Sequence, residues 1–183
     1  MHVVVLDSAA FRLDHEAYAY AGKFVVPGGK AVALPDDTAA AFPDPREGDA
    51  EEVLGAIAFS EDRTDDSTVW LRYVTVRRDR RGEGIGTRLA SETTARLHDR
   101  GYETVRIAVN NPYSYEALSK AGFGFTGRET GLAELVMDHP SDRERYDEGL
   151  ALFADRDLSD EELTFTREKR ERGPPAVGGP HHG

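Results

Sequence analysis

One stretch stands out for residue types and spacing that could do chemistry: Val74-Thr75-Val76-Arg77-Arg78-Asp79-Arg80-Arg81-Gly82-Glu83-Gly84-Ile85-Gly86-Thr87-Arg88-Leu89. A β-branched run leads into a basic, glycine-rich turn, and the turn opens an amphipathic segment. Glycine allows positive φ and lets a ligand approach the backbone closely. A helix N-terminus presents unpaired N–H groups and a partial positive charge. Joined, these form an anion site, most often for phosphate. Arg81 and its neighbours would add charge-assisted contacts. A dinucleotide loop needs glycines spaced G-x-G-x-x-G, whereas Gly82, Gly84 and Gly86 alternate and Arg88-Leu89 brings no third glycine at that spacing. The Gly-Lys-Ser/Thr of a P-loop is absent too. The plain alternative is a glycine-rich connection that binds nothing.

Other reactive residue types are scattered. There is no cysteine, which excludes disulfides, thiolate metal sites, a cysteine nucleophile and an acyl-cysteine relay. His15, His98 and His139 form no triad with a serine, and no spacing of metal ligands is present, so no metal is implied. His181 and His182 lie in a tail rich in Gly and Pro and read as incidental.

The elements that must position the turn follow from periodicity. Val3–Leu6, Phe24–Val26, Ala31–Leu34 and Glu52–Phe59 read as strands, and Asp14–Ala21 as a short helix. Thr68–Val76 is a β-branched and aromatic run that suits a central strand. Gly84–Arg100 reads as a helix, because Ile85, Leu89 and Leu97 share one face. Gly101 is a natural C-cap. Thr104–Val109 is a strand, and Asn111-Pro112 reads as N-cap and first residue of a helix ending near Gly122. Phe123–Thr126 and Leu132–Asp138 are the last strands. This alternation predicts an α/β core with a mixed sheet. Beyond Pro140, Ser141-Asp142-Arg143-Glu144 and Ser159-Asp160-Glu161-Glu162 match the capping box and predict helices over 142–154 and 160–171. We therefore expect a main domain over 1–140, a helical extension over 141–172 and a disordered tail over 173–183.

Composition bounds the function. A chain of 183 residues suits one sizeable core, and no apolar run suits a signal peptide or a membrane span, so a soluble, cytoplasmic protein is expected. A net charge of −11 argues against general affinity for nucleic acid. Four lysines stand against nineteen arginines. This acidic, lysine-poor, cysteine-free balance resembles that of proteins from salt-loving organisms, in which salt screens self-repulsion.

Arg81-Gly82-Glu83-Gly84-Ile85-Gly86 resembles the Arg/Gln-x-x-Gly-x-Gly/Ala signature of the GNAT superfamily of N-acetyltransferases. Val109-Asn110-Asn111-Pro112 followed by Lys120-Ala121-Gly122-Phe123 resembles that family's next strand and its Asn…Gly-Phe helix. The resemblance covers residues 52–138. It implies a splayed, mostly antiparallel sheet flanked by helices, here with extra C-terminal helices. It also implies acetyl-CoA as co-substrate. The pantetheine arm would pair with backbone groups of Val74 and Val76. The pyrophosphate would sit on N–H groups from Arg81 through Gly82, Glu83, Gly84, Ile85 and Gly86 to Thr87. Asn111, or else Asn110, would hold the far side. A backbone N–H near Val76 could stabilise an oxyanion.

The resemblance leaves the catalytic residues open. Many relatives carry an acidic tyrosine three or four residues before the Gly-Phe, where this chain has Leu118 and Ser119. Tyr115 lies one turn earlier on that face and is the candidate acid, with Tyr113 a poorer one. Glu61, Asp62 and Glu134 are candidate bases, and a water chain could replace them. Asp79 and Glu83 border the phosphate site and suit that role poorly. Arg72 or Tyr73 should point into the acceptor cleft. The expected reaction moves acetyl directly to a primary amine of a small molecule or peptide. The alternatives are a CoA-binding regulatory module with weakened catalysis and an interaction protein recruiting through its terminal helices. Those helices would dock on the core or across a homodimer interface.

Overall fold

The protein is described here by a computed structural model covering residues 1–178; His181 and His182 lie outside the described residues. Seven strands form one sheet in the order β1-β2-β3-β4-β5-β7-β6. They are β1 (His2–Ala9), β2 (Gly28–Leu34), β3 (Gly55–Glu61), β4 (Thr68–Val76), β5 (Thr104–Val109), β6 (Gly124–Glu129) and β7 (Leu135–His139). The helices are α1 (Ile85–Asp99), α2 (Pro112–Lys120), α3 (Tyr146–Ala154) and α4 (Asp160–Arg172). Every sheet pairing is antiparallel except that of β4 with β5. Among the described residues no helix is long and apolar enough to cross a membrane.

The parallel pair is the feature that shapes the site. Thr68–Leu71 of β4 match Thr104–Ile107 of β5, and the pairing then stops. Tyr73–Val76 stay paired with β3 on one side, and Ala108–Val109 stay paired with β7 on the other. The sheet therefore opens between its two central strands. A β-bulge sits where the opening begins, because Ala58 opposes Tyr73 and Phe59 opposes Leu71, leaving Arg72 unopposed. Bulges bend a strand and raise its local twist, which turns the end of β4 away from β5.

The two faces of the sheet are covered differently. Ile85, Leu89 and Leu97 of α1 bury the predicted stripe against Ile57, Leu71 and Ile107, and this core continues to Tyr115, Leu118, Leu150 and Phe153. The helices after Pro140 thus share the core of residues 1–140, although a boundary was expected there. The opposite face is covered over β2, β3 and β4 by the β1–β2 connection, through Phe11, Tyr18 and Phe24.

Several expectations need correction. Asp14–Ala21 is not a helix. Its single turn, in which Ala17 and Tyr18 N–H donate to Asp14 O, breaks where Tyr20 enters the left-handed region at φ 59°. A 3₁₀ turn, Ala21–Lys23, follows. Phe24–Val26 is no strand, and the whole segment is shaped by buried anchors such as the Tyr18 hydroxyl, which donates to Val53 O. The helix expected from 142 starts only at Tyr146, because Ser141 Oγ and Asp142 Oδ1 accept from Arg143 N and Glu144 N in local turns instead. The second box does form, with Ser159 and Glu162 capping reciprocally. Residues 174–178, expected to be disordered, return to α2, with Gly178 N donating to Lys120 O and Arg143 Nη1 donating to Pro175 O at 2.5 Å.

Candidate functional site

The turn after β4 has the properties its residue types suggest. Gly82 and Gly84 lie at φ 83° and 79°, where a side chain would be strained. Gly84 is the N-cap of α1, and no side chain caps the helix, so its first N–H groups face outward. Gly86 brings the helix onto β4, since a β-carbon there would lie 3.3 Å from Val76 Cγ2. The arginines divide into two sets. Arg77 pairs with Asp79 at 2.6 Å and Arg80 with Glu83 at 2.5 Å. Arg78 and Arg81 are exposed and have no carboxylate partner among the described residues. The arrangement is a cationic rim around an uncapped helix end, and the hydrogen bond from Arg77 holds the Asp79 carboxyl below its ordinary range.

Val74 and Val76 border the opening of the sheet, where β4 has no partner on the β5 side. Their side chains pack toward the α1 core. An unpaired edge inside a sheet invites an extended ligand to bond as an extra strand. Across the gap, Asn111 caps α2, its Oδ1 accepting from Ser114 N at 2.8 Å and its Nδ2 donating to Asn110 Oδ1 at 3.1 Å. Thr87, on the first turn of α1, donates through Oγ1 to Ala117 O at 3.1 Å, so the start of α1 is fastened to the second half of α2.

The tyrosine singled out as acid lies elsewhere. Tyr115 is 0% exposed, and its hydroxyl donates to Tyr146 O at 2.9 Å. Its ring packs on Tyr146 and Phe153 of α3. Burial, reinforced by the charges of Tyr146, Glu148 and Asp147, pushes its hydroxyl above the ordinary tyrosine range. Gly149 makes room for it, since a β-carbon at 149 would lie 2.6 Å from Tyr115 Cζ. Leu118 is buried, and Ser119 Oγ donates to Tyr115 O at 2.8 Å. Tyr113 faces α4, its ring 4.6 Å from that of Phe165. Next to Tyr115, buried Glu116 accepts from the Tyr146 hydroxyl and Arg172 Nη2, both at 2.5 Å. Capping patterns alone gave no sign of this three-element knot.

The candidate bases are engaged. Glu61 accepts from the Tyr102 hydroxyl at 2.7 Å, and that bond raises Tyr102 to about 12. Asp62 accepts from Trp70 Nε1 at 2.7 Å and from Thr64, and these bonds hold it at about 2, too weak a base to take a proton from an ammonium. Glu134 accepts from Thr130 Oγ1 at 3.3 Å. His98 and His139, scattered in sequence, meet at 2.9 Å between Nε2 and Nδ1. Burial, aided by His98, lowers His139 below the ordinary histidine value.

No curated protein sequence matches the chain. Among solved structures it is similar to one from Lactobacillus plantarum assigned as an N-acetyltransferase, at 15% identity and TM-score 0.44, covering 60% of this chain and 66% of that one. It is also similar to a nourseothricin acetyltransferase at 18% identity and TM-score 0.46, covering 74% of this chain and 85% of that one. A third is the PaiA N-acetyltransferase of Thermoplasma acidophilum in complex with coenzyme A, at 17% identity and TM-score 0.44, covering 60% of this chain and 58% of that one. The chain thus spans just under two thirds of the first of these structures. The family model for the acetyltransferase (GNAT) family matches residues 27–123, just over half of the chain. The match runs from the end of the irregular β1–β2 connection to the Gly-Phe after α2, and takes in the whole opening of the sheet and the uncapped helix end. The chain belongs to the acetyltransferase (GNAT) family.

Proposed function

We propose that this protein transfers the acetyl group of acetyl-CoA directly to a primary amine. The observation that carries the reading is the juxtaposition of an unpaired β4 edge and an uncapped α1 N-terminus on consecutive elements. In this reading the N–H groups from Arg81 to Thr87, with the free cations of Arg78 and Arg81, hold the pyrophosphate. Backbone groups of Val74 and Val76 hold the pantetheine arm as an added strand. Bound there, acetyl-CoA supplies the thioester. The amine nitrogen bonds to the carbonyl carbon as the carbon–sulfur bond breaks, and the proton released from nitrogen ends on the departing thiolate. Asn111 stays at the far wall as the cap that sets the start of α2.

Tyr115 takes no part in proton transfer here, because its hydroxyl is buried and already donated. Water in the open cleft serves as acid and base. The same observation favours a second reading, a CoA-binding regulatory module without turnover. Calorimetric titration with CoA and acetyl-CoA turnover over a panel of amines separate the two. Micromolar binding with turnover supports the transferase, binding without turnover supports the module, and no binding rejects both.

A further inference from the structure

The face of the sheet opposite α1 carries a cluster unused so far. Trp70 alternates with Val69 and Leu71 and so points to this face, as does Arg106 between Val105 and Ile107. The bulge puts Arg72 and Tyr73 there as well, at the point where β4 parts from β5. Arg72 Cζ lies 5.0 Å from the Trp70 ring centre, and Arg106 Cζ lies 5.6 Å from it. From the β1–β2 connection, Tyr20 brings its ring to 5.7 Å from that of Tyr73, and Lys23 Nζ lies 5.4 Å from the same ring. Tyr20 is 53% exposed and sits at φ 59°, a costly conformation for a tyrosine. Its ring joins that of Tyr73 in an aromatic wall beside the opening.

The charges of this cluster are unequal. Arg106 is neutralised by Asp138 through bonds of 2.7 and 3.0 Å. Asp62 is committed to Trp70 and Thr64. Among the described residues Arg72 donates to Ser60 Oγ at 2.9 Å and Glu61 O at 3.5 Å and to no other group. Among the described residues Lys23 has the Tyr73 ring as its partner. Among the described residues neither Arg72 nor Lys23 forms an ion pair, although the nearby Asp62 carboxylate acts on Arg72, so two cations flank aromatic rings at the mouth of the opening on a chain whose net charge is −11. A polycationic amine would meet repulsion there. An amine that also bears a carboxylate would meet a guanidinium fork shaped for it.

We infer that the acceptor is an amino acid or a similar amine bearing a carboxylate, with Arg72 reading the carboxylate, Lys23 adding charge and Tyr20 and Tyr73 packing its body. This rests on the acetyl-transfer reading above. The probes are L-phenylalanine, L-phenylalaninamide, phenethylamine and spermidine, each with acetyl-CoA. Direct calorimetric binding of phenylalanine and phenethylamine runs alongside. A charge-assisted pair is worth roughly tenfold to a hundredfold, so phenylalanine should exceed phenethylamine in kcat/KM by at least about tenfold. Arg72→Met should bring that ratio near one, chiefly by raising KM for phenylalanine, with Arg72→Lys intermediate. Lys23→Gln, at an exposed site, should lower the ratio partway and provides the test should Arg72→Met fail to fold. Equal use of all amines, preference for spermidine, or ratios unmoved by both variants overturns the inference while the transferase stands. Selective phenylalanine binding that weakens in the variants, without turnover of any amine, supports Arg72 and Lys23 as a carboxylate site but overturns both the acceptor role and the transferase. Neither binding nor turnover overturns both.

Discussion

The two faces of the sheet are built by different means. On one, regular helices α1, α2 and α3 interlock through Leu89, Leu97, Tyr115 and Phe153. On the other, irregular chain is pinned by Phe11, Tyr18 and Phe24, and the face lies open around Trp70. The helical face presents the proposed anion cradle, which would need a geometry held to fractions of an ångström. The looped face presents Tyr20 and Lys23, whose identities can change without disturbing a helix. Rigid elements suit the ligand common to a family, and loops suit the variable one.

The contrast can be broken at its sharpest point first. Gly84→Asp places a side chain at φ 79° and a negative charge at the cradle. CoA affinity should fall at least about a hundredfold while the fold survives, as calorimetry and circular dichroism would show. Unchanged affinity would remove the cradle from the binding site. Next, Leu89→Ala should cost about 2–5 kcal/mol in chemical denaturation, because Leu89 is 0% exposed beneath the helical face. Val25→Ser on the looped face should stay within about 0.5 kcal/mol. Similar losses at both sites would erase the distinction. A smaller effect is expected of Tyr115→Phe, which should cost about 1 kcal/mol of stability by orphaning Tyr146 O and change kcat less than about threefold. A kcat loss of about a hundredfold would restore the tyrosine as general acid.

Acidity acts on the helical face through His139. Burial lowers its folded value, so the unfolded chain binds the proton more readily. Its contribution is complete above the ordinary value of 6.5 and should be lost as pH falls below that value toward the lowered one. His139→Gln should flatten the slope of stability between about pH 7 and 5. Salt should give the gentlest response. The Debye length shrinks from about 30 Å at 0.01 M to about 3 Å at 1 M, which screens the excess of eleven negative charges crowded by folding. The melting temperature should therefore rise between about 0.05 and 2 M KCl. A flat or falling curve would sever the acidic composition from stability in salt.

The helical face was readable in the sequence and the looped face was not. Ile85, Leu89 and Leu97 repeat at helical spacing, Thr68–Val76 is a strand end to end, and Asn111-Pro112 starts α2 as their types require. Such signals are local. Tyr20 and Lys23 were hidden because only tertiary anchors shape their segment, and left-handed φ at a tyrosine has no residue code. The bulge at Arg72 depends on register with β3, which residue types along one strand do not encode. Tyr115 misled because helical spacing puts it on a face without saying what that face meets. The answer, Tyr146 and Phe153, lies thirty residues and more downstream.

The close fit of Gly149 against the Tyr115 ring bears on how sequences of this kind can drift. Neither position can change freely alone. Any side chain at 149 would collide with the tyrosine, and a small residue at 115 would leave a void beneath α3. The two sites, 34 positions apart, form a coupled pair in which one change makes the other permissible. Descendants that shrink residue 115 would lift the constraint on residue 149, and their third helix could then settle closer to the second.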